Sequence, residues 1–384
     1  MGRIKKECPK CHIFFVNLKK HLKRKTPCVI VKDKIETEPV QEIKSEIESE
    51  VGREIESSDK EENSKIFNTG DITIVNDDCL NYLETLDDNS LDCCITDPPY
   101  FIDKLDNKWN STKVTARKNN SHIKHLPKGM KFDKNQVKEL YEFYFKLSKI
   151  LINKLKPGGF FLSFSSPRLY HAIAMGCDAG GFEVRDMLNW VYTQSMPKGM
   201  SVSHIIKKNK TLTDKEKEEM IEAYKNFKTP MIRSCAEPIC VAVKPRGKMT
   251  YVETEIKFKT GLINFSNKVG KNSDKVLANV MTLEEINPAF DNNFLVSKPT
   301  KKEKGKDNTH ITVKPIKLME HLINVFSKKG AIILDPFLGS GTTAIACKNT
   351  NRKCIGIEKN KEYFNISISR VTKELEKELV SMNR

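Results

Sequence analysis

From about residue 70 onward, the apolar positions of the chain alternate between two periods. Short runs in which nearly every residue is apolar (ITIV, LDCCIT, GFFLSF, PICVAV, AIIL and KCIGI) have the length and residue types of strands buried on both faces. FEVRDMLNWVY predicts a further strand. Between them, LNYLETL, VKELYEFYFKLSKILINKL, LYHAIAMGCDAG, PIKLMEHLINVFS, TTAIACKNT and NISISRVTKELEKELVSM predict helices. The longest of these is stopped by Lys156-Pro157-Gly158-Gly159. Strand and helix alternate through most of the chain, which predicts an α/β fold on a parallel sheet covered on both faces. Residues 101–135 are polar, basic and irregular and read as a mobile loop. Residues 196–310 break the rhythm, with charged helical stretches such as TDKEKEEMIEAYKNF alternating with loops around PICVAVKP.

Ahead of this region the character changes twice. Residues 1–30 are compact and strongly basic, with nine Lys and Arg residues up to Lys25 against Glu7 alone. Residues 31–66 are dominated by Glu and Ser and lack aromatic residues, the composition of an acidic disordered linker. The globular part is therefore assigned to residues 67–384.

The 384 residues suffice for one large domain with small appendages, and 38% hydrophobic content suffices for its core. No run of ~18 apolar residues predicts a membrane span, and no secretory apolar core is read near the N-terminus. Eleven scattered cysteines fit reduced thiols better than a disulfide framework, so an intracellular setting is expected, bacterial cytoplasm or an infected host cell. A formal charge of +16 attracts polyanions, nucleic acid first among them, although lysine-rich composition alone gives the same number.

Two motifs carry candidate chemistry. Asp335-Pro336-Phe337-Leu338-Gly339-Ser340-Gly341-Thr342-Thr343 follows the apolar run AIIL and opens a helix. Glycines there permit tight turns and close backbone approach to a ligand at the helix start. No Lys follows them, which argues against a P-loop. Glu358 ends the next strand, where an acid can accept hydrogen bonds from ribose hydroxyls; together they imply a nucleoside-bearing cofactor. The second motif is Asp97-Pro98-Pro99-Tyr100, after LDCCIT. Two prolines fix φ and leave a rigid loop with free carbonyls. An amino nitrogen conjugated to a base ring is a poor nucleophile because its lone pair is delocalised. A carboxylate and a backbone carbonyl that accept both amino hydrogens push the nitrogen toward tetrahedral geometry, and an aromatic ring can stack on an extruded base. Asp97, the Pro98 carbonyl and Tyr100 have the groups for these roles.

With TDPPY upstream and DPFLGSGTT downstream, the chain resembles the β-class DNA amino-methyltransferases. The resemblance covers roughly 70–375. It implies a Rossmann-like S-adenosylmethionine-dependent core with permuted motif order, in which the catalytic motif precedes the target-recognition region and the cofactor motif comes last. VNDDCLNYLETL resembles the family's stretch whose acid, here Asp78, reaches the cofactor adenine. NTHITVKPIKLMEHLI resembles the family's HPTxKPxxLM segment, which places Lys314 and Pro315 near the cofactor's methionine end; Ile311 stands where the family has Pro. The resemblance assigns cofactor contacts to Asp78, Lys314, Asp335, Phe337, Gly339, Gly341, Thr342 and Glu358. It assigns target recognition to about 196–310, helped by the 101–135 loop, whose lysines would contact the phosphates of double-stranded DNA. RDMLNWVYTQSMPKG resembles a branch common in phages and large viruses; Trp190 and Tyr192 there fit a base-pocket wall and plain core equally.

Asp in the first catalytic position resembles adenine-N6 enzymes, and cytosine-N4 enzymes more often carry Ser. Cytosine N4 stays an alternative, as does an inactive relative that binds DNA. Cytosine C5 chemistry needs a thiolate, usually in a Pro-Cys pair, and the one such pair is Pro27-Cys28 in the basic segment. Cys8, Cys11, His21 and Cys28 have the types and compactness of structural zinc ligands, with Phe14, Phe15 and Leu18 as a minimal core. The segment resembles short zinc fingers of large DNA viruses, against the alternative of a basic tail with incidental cysteines. A separate restriction endonuclease is an expected partner.

Overall fold

The computed structural model describes residues 6–7, 14–15, 65–99, 135–192, 200–229, 234–264, 279–281, 298–305, 308–310 and 313–382. The chain divides into two compact units, Met1–Ser64 and Lys65–Arg384. In the first, strands β1 (Lys6–Glu7) and β2 (Phe14–Phe15) pair antiparallel, Lys6 opposite Phe15. Cys8, Cys11, His21 and Cys28, and nearly all of the acidic stretch, lie outside the described residues.

The second unit is built on a nine-stranded sheet. Its strands are β3 (Ile66–Asn68), β4 (Ile72–Val75), β5 (Leu91–Thr96), β6 (Leu155–Phe164), β7 (Glu183–Val191), β8 (Ala236–Val243), β9 (Val280–Met281), β10 (Ile332–Asp335) and β11 (Lys353–Ile357). The order across the sheet is β3-β4-β11-β10-β5-β6-β8-β7-β9. The last two strands in sequence thus lie between β4 and β5, so the C-terminal part of the chain completes the middle of a sheet that the earlier part leaves open.

Alternation along the strands divides the apolar side chains between two cores, one on each face. On one face Cys93, Ile95, Phe160, Leu162, Phe164, Ile239, Val241 and Ile333 meet helices α8 (Ile316–Phe326), α9 (Thr342–Asn349) and α10 (Lys361–Met382). On the other, Cys94, Phe161, Cys240, Ala242 and Leu334 meet α1 (Cys79–Thr85), α2 (Asn135–Lys154) and α3 (Tyr170–Ala179). Burial on both faces is why these strands read as unbroken apolar runs. The buried cysteines belong to these cores as free thiols.

The sheet is mixed, which corrects the expectation of a parallel one. β4, β11, β10, β5 and β6 are mutually parallel, but β8 runs antiparallel to both β6 and β7. The reason lies in residues 192–235. After β7 the chain makes an excursion that carries α4 (Val202–Lys207) and α5 (Asp214–Ala223). It closes on itself where the Tyr192 N–H donates to the Cys235 carbonyl at 2.9 Å. The chain therefore re-enters at the end it left, and β8 must run back. An apolar run predicts a strand but carries no direction. Helix α6 (Tyr251–Phe258), held by a Thr250/Glu253 capping box, and the short α7 (Lys301–Lys304) are further elements within the region that the pattern left irregular.

Helices α2 and α3 approach closely at Gly176, where an added Cβ would lie 2.5 Å from Tyr144 Cβ and 3.1 Å from the Phe145 nitrogen. Gly176→Ala is expected to destabilise the unit by about 1–3 kcal/mol through overpacking, read as a lowered denaturation midpoint with an unchanged slope.

Candidate active site

The parallel strands β4, β11, β10, β5 and β6 end on one edge of the sheet, and ligands of open α/β sheets bind beyond such carboxyl ends. Each acid assigned from the sequence sits there. Asp78 lies shortly after β4, Glu358 directly after β11, Asp335 at the end of β10 and Asp97 directly after β5.

β5 and β10 pair with Cys93 opposite Ile333 and Cys94 opposite Leu334, so Thr96 and Asp335 emerge side by side. The Thr96 hydroxyl donates to Asp335 Oδ1 at 2.6 Å, and the Thr343 hydroxyl donates to Oδ2. The Phe337 N–H also donates to Oδ1, at 3.1 Å. Asp335 is 3% exposed, and burial pushes its carboxyl up to about 6 even against these donors.

The glycine turn begins two residues past Phe337, whose ring packs on Phe143 of α2 at 5.8 Å. Gly339 has φ +57° and Gly341, the N-cap of α9, has φ +85°. A Cβ at Gly339 would lie 2.7 Å from His310 Nε2, and one at Gly341 would lie 3.1 Å from the Ser367 backbone. Arg370 of α10 braces the turn from behind, donating to the Ser340 carbonyl at 2.6 Å, the Ser340 hydroxyl at 2.9 Å and the Thr342 hydroxyl at 3.3 Å. His310 also packs edge-on against Tyr363 at 4.6 Å. Burial lowers its imidazole to about 4, so it is neutral at pH 7, and among the described residues its enclosed Nδ1 has no hydrogen-bond partner.

Glu358 accepts from the Gly339 N–H through Oε2 and from the Asn360 N–H through Oε1, both at 2.8 Å. It therefore holds the glycine turn to the end of β11, and burial pushes its carboxyl up to about 7. Asp78 caps α1 by accepting from the Leu80 N–H at 3.0 Å, and it takes the Lys359 ammonium at 2.9 Å. Burial acts to raise its carboxyl, but the Lys359 and backbone donors outweigh that and lower it.

Asp97, followed by the buried Pro98, is joined to Lys314 by a short ion pair. Lys314 also pairs with Glu237 at the start of β8, at 3.1 Å. Its ammonium stands 4.9 Å from the Phe164 ring centroid and 5.9 Å from that of Trp190. Burial acts to depress the lysine, but Asp97 and Glu237 more than offset it and hold the group protonated.

The arrangement places an acid-bearing, proline-stiffened loop beside a braced glycine turn on adjoining strands. The sequence profile of the N6/N4 DNA methylase family matches residues 91–369. The chain belongs to this family. Within it, the DNA methylase is similar to the type II methyltransferase M.HindIII of Haemophilus influenzae, at 28% identity over 311 residues, covering 78% of this chain and 94% of the relative. It is also similar to the type II methyltransferase M2.DpnII of Streptococcus pneumoniae, at 26% identity over 311 residues, covering 81% and 93%. In fold it is similar to the PvuII DNA methyltransferase (cytosine-N4-specific), with a TM-score of 0.50 and 16% identity over 81% of this chain and 94% of that one.

The structure brings together Asp97, Pro98 and Pro99, Lys314, Asp335, Phe337, Gly339, Gly341, Thr342 and, across the strand ends, Glu358 and Asp78. Tyr100 and the lysine-bearing loop after it lie outside the described residues. Lys314, placed by resemblance near a cofactor, pairs with Asp97. Trp190 and Tyr192 are core residues: each is buried, their rings lie 5.0 Å apart, and the Lys314 ammonium stands 5.9 Å from the Trp190 ring centroid. Sequence reasoning missed Thr96, Glu237, His310, Thr343 and Arg370. An acid opening an otherwise apolar strand was the available signal for Glu237; Arg370 had none, being one of many cations on its helix.

Glu358 gives a signed pH effect. Its carboxyl is raised in the folded chain, so protonation favours folding, and that contribution is lost as pH rises from about 4.5 through about 7. Glu358→Gln should therefore gain stability relative to wild type between pH 4 and pH 8, by about 2 kcal/mol after allowance for partial exposure. Paired denaturation curves check this; a constant difference between the two proteins would contradict it.

Proposed function

We propose that this DNA methylase transfers a methyl group from S-adenosylmethionine to N6 of adenine in double-stranded DNA. The observation that carries the reading is the Thr96–Asp335 hydrogen bond, which joins the strand that ends in Asp97-Pro98-Pro99 to the strand that opens the glycine turn. The two candidate motifs, 238 positions apart at Asp97 and Asp335, thereby form one site.

The residues fit the donor. Gly339 and Gly341 hold positive φ and pack directly on His310 and Ser367, and among the described residues the buried Nδ1 of His310 has no hydrogen-bond partner. Glu358 and Asp78 would hold the nucleoside end and the Gly339–Thr342 turn would shape the floor. When bound, the sulfonium donor supplies an already activated methyl group, so the protein's task is positioning and desolvation. Asp97 and the Pro98 carbonyl accept the two hydrogens of the target amino group and free its lone pair, and the Tyr100 ring stacks on the extruded base. Asp at position 97 supports adenine over cytosine by its resemblance to adenine-N6 enzymes. The type II methyltransferase relatives support a modification role alongside a separate restriction endonuclease. Cys8, Cys11, His21 and Cys28 are proposed to bind a structural zinc ion and present a basic auxiliary contact to DNA.

The test is incubation with methyl-labelled donor and DNA, followed by digestion to nucleosides. N6-methyladenine is expected. N4-methylcytosine would replace adenine by the alternative base, and no transfer would favour a DNA-binding relative without activity. Asp97→Ala should abolish transfer and leave donor binding within about twofold; wild-type turnover in that variant would remove Asp97 from its role.

A further inference from the structure

The excursion between β7 and β8 leaves and re-enters the sheet at the edge that holds Asp97. Phe164, at the end of β6 beside β5, lies opposite Ile239 near the start of β8. The Ser165 N–H donates to the Pro238 carbonyl at 2.9 Å. The excursion is therefore rooted at the same strand ends as Asp97-Pro98-Pro99.

It carries an exposed aromatic pair. Tyr224 is 42% exposed and Phe227 is 59% exposed, and their rings meet edge-on with centroids 5.5 Å apart. Large apolar side chains grouped in water mark a contact surface. The backbone beneath them is tied down. The Tyr224 N–H ends α5 by donating to the Met220 carbonyl at 2.9 Å, and the Phe227 N–H donates to the Tyr224 carbonyl at 3.0 Å. The Phe227 carbonyl accepts from the Val202 N–H at 3.1 Å, which clamps this turn to the start of α4.

The charge around the pair favours a polyanion. Lys225 and Lys228 flank Phe227 and are exposed, and Lys208 and Lys210 follow α4 on the clamped arm. Every acid between residues 192 and 235 lies within α5. Its Glu222 pairs with Lys225 at 3.4 Å on the surface, where such a pair contributes little. Protein-binding surfaces are depleted in lysine. Rings interleaved with lysines suit nucleic acid, since rings stack on bases and ammonium groups meet phosphates.

On the methyl-transfer reading, the target base leaves the duplex, and its former neighbours lose a stacking partner. Resting on that reading, we propose that Tyr224 and Phe227 form a wedge. It enters the duplex beside the target nucleotide and stacks on the bases that extrusion uncovers, while Lys225 and Lys228 meet the adjoining phosphates. Apolar side chains inserted between base steps offset part of the cost of unstacking. The wedge thereby holds the target out of the helix; no covalent step passes through it.

The test compares two substrates. One is a short duplex carrying a site at which the wild-type protein methylates unmodified phage DNA. The other is the same duplex with an abasic position opposite the target base, so that no pair has to open. The readout is the ratio of kcat/KM on the second duplex to that on the first. With both Tyr224→Ala and Phe227→Ala, kcat/KM on the paired duplex should fall at least about tenfold, and the ratio should rise at least about fivefold over wild type. Donor affinity, measured by calorimetry, should stay within about twofold, which establishes that the cofactor site is folded. Phe227→Tyr keeps a ring and should keep the wild-type ratio. Lys225→Gln with Lys228→Gln should weaken both duplexes alike. Unchanged activity of the double alanine variant on paired DNA overturns the proposal and assigns the rings to a protein contact instead. Equal losses on the two duplexes overturn it as well, as does a ratio that moves with the lysines and not with the rings. Each of those outcomes leaves methyl transfer by the wild-type protein standing; absence of that transfer removes the reading on which the wedge rests.

Discussion

The site depends on the pairing of β5 with β10. These strands come from segments almost a whole domain apart in sequence, yet they lie parallel and in a register that sets Thr96 beside Asp335. A one-residue slip would turn every side chain to the opposite face and bury Thr96 away from its acceptor. Register is enforced by the two cores: Cys93, Ile95 and Ile333 must face one set of helices while Cys94 and Leu334 face the other. Packing of ordinary apolar side chains therefore fixes the relation between the loop that would present the target and the turn that would hold the donor.

The buried charges follow from that geometry. Asp335 is isolated from water but surrounded by hydroxyl and backbone donors, and among the described residues no cation pairs with it at the start of the glycine turn. Glu358 accepts from the Gly339 N–H of the same turn. Asp97 instead faces a cation, itself divided with Glu237. Carboxyls at adjoining strand ends thus have different surroundings: Asp335 and Glu358 take donors from the turn, and Asp97 takes a cation. Leaving any of them unsatisfied would cost more than the bonds they make contribute, which ties the stability of this edge to its chemistry.

Most of the fold was legible because its strands, buried on both faces, are short unbroken apolar runs, while its helices are longer and carry apolar stripes. Direction was not legible. PICVAV reads the same for a parallel or an antiparallel strand, and its reversal follows from the 192–235 excursion, whose ends meet at Tyr192 and Cys235. The main site residues were legible because prolines and glycines flank them and constrain the backbone. Glu237 and Arg370 sit in regular elements, where nothing local distinguishes a side chain that faces the site from one that faces water. Lys314 shows a further limit: its presence at the site was readable by resemblance, but its partner Asp97 lies 217 residues away and only tertiary structure joins them.

If the glycine turn and Asp97 serve one ligand site, calorimetric binding of a bisubstrate compound, in which adenine is joined through N6 to the sulfur end of the demethylated donor, reads it directly. The compound should bind more tightly than the demethylated donor alone, Asp97→Ala should remove this advantage, and Gly339→Ala should weaken both ligands. Equal affinity of the wild-type protein for the two ligands would contradict it.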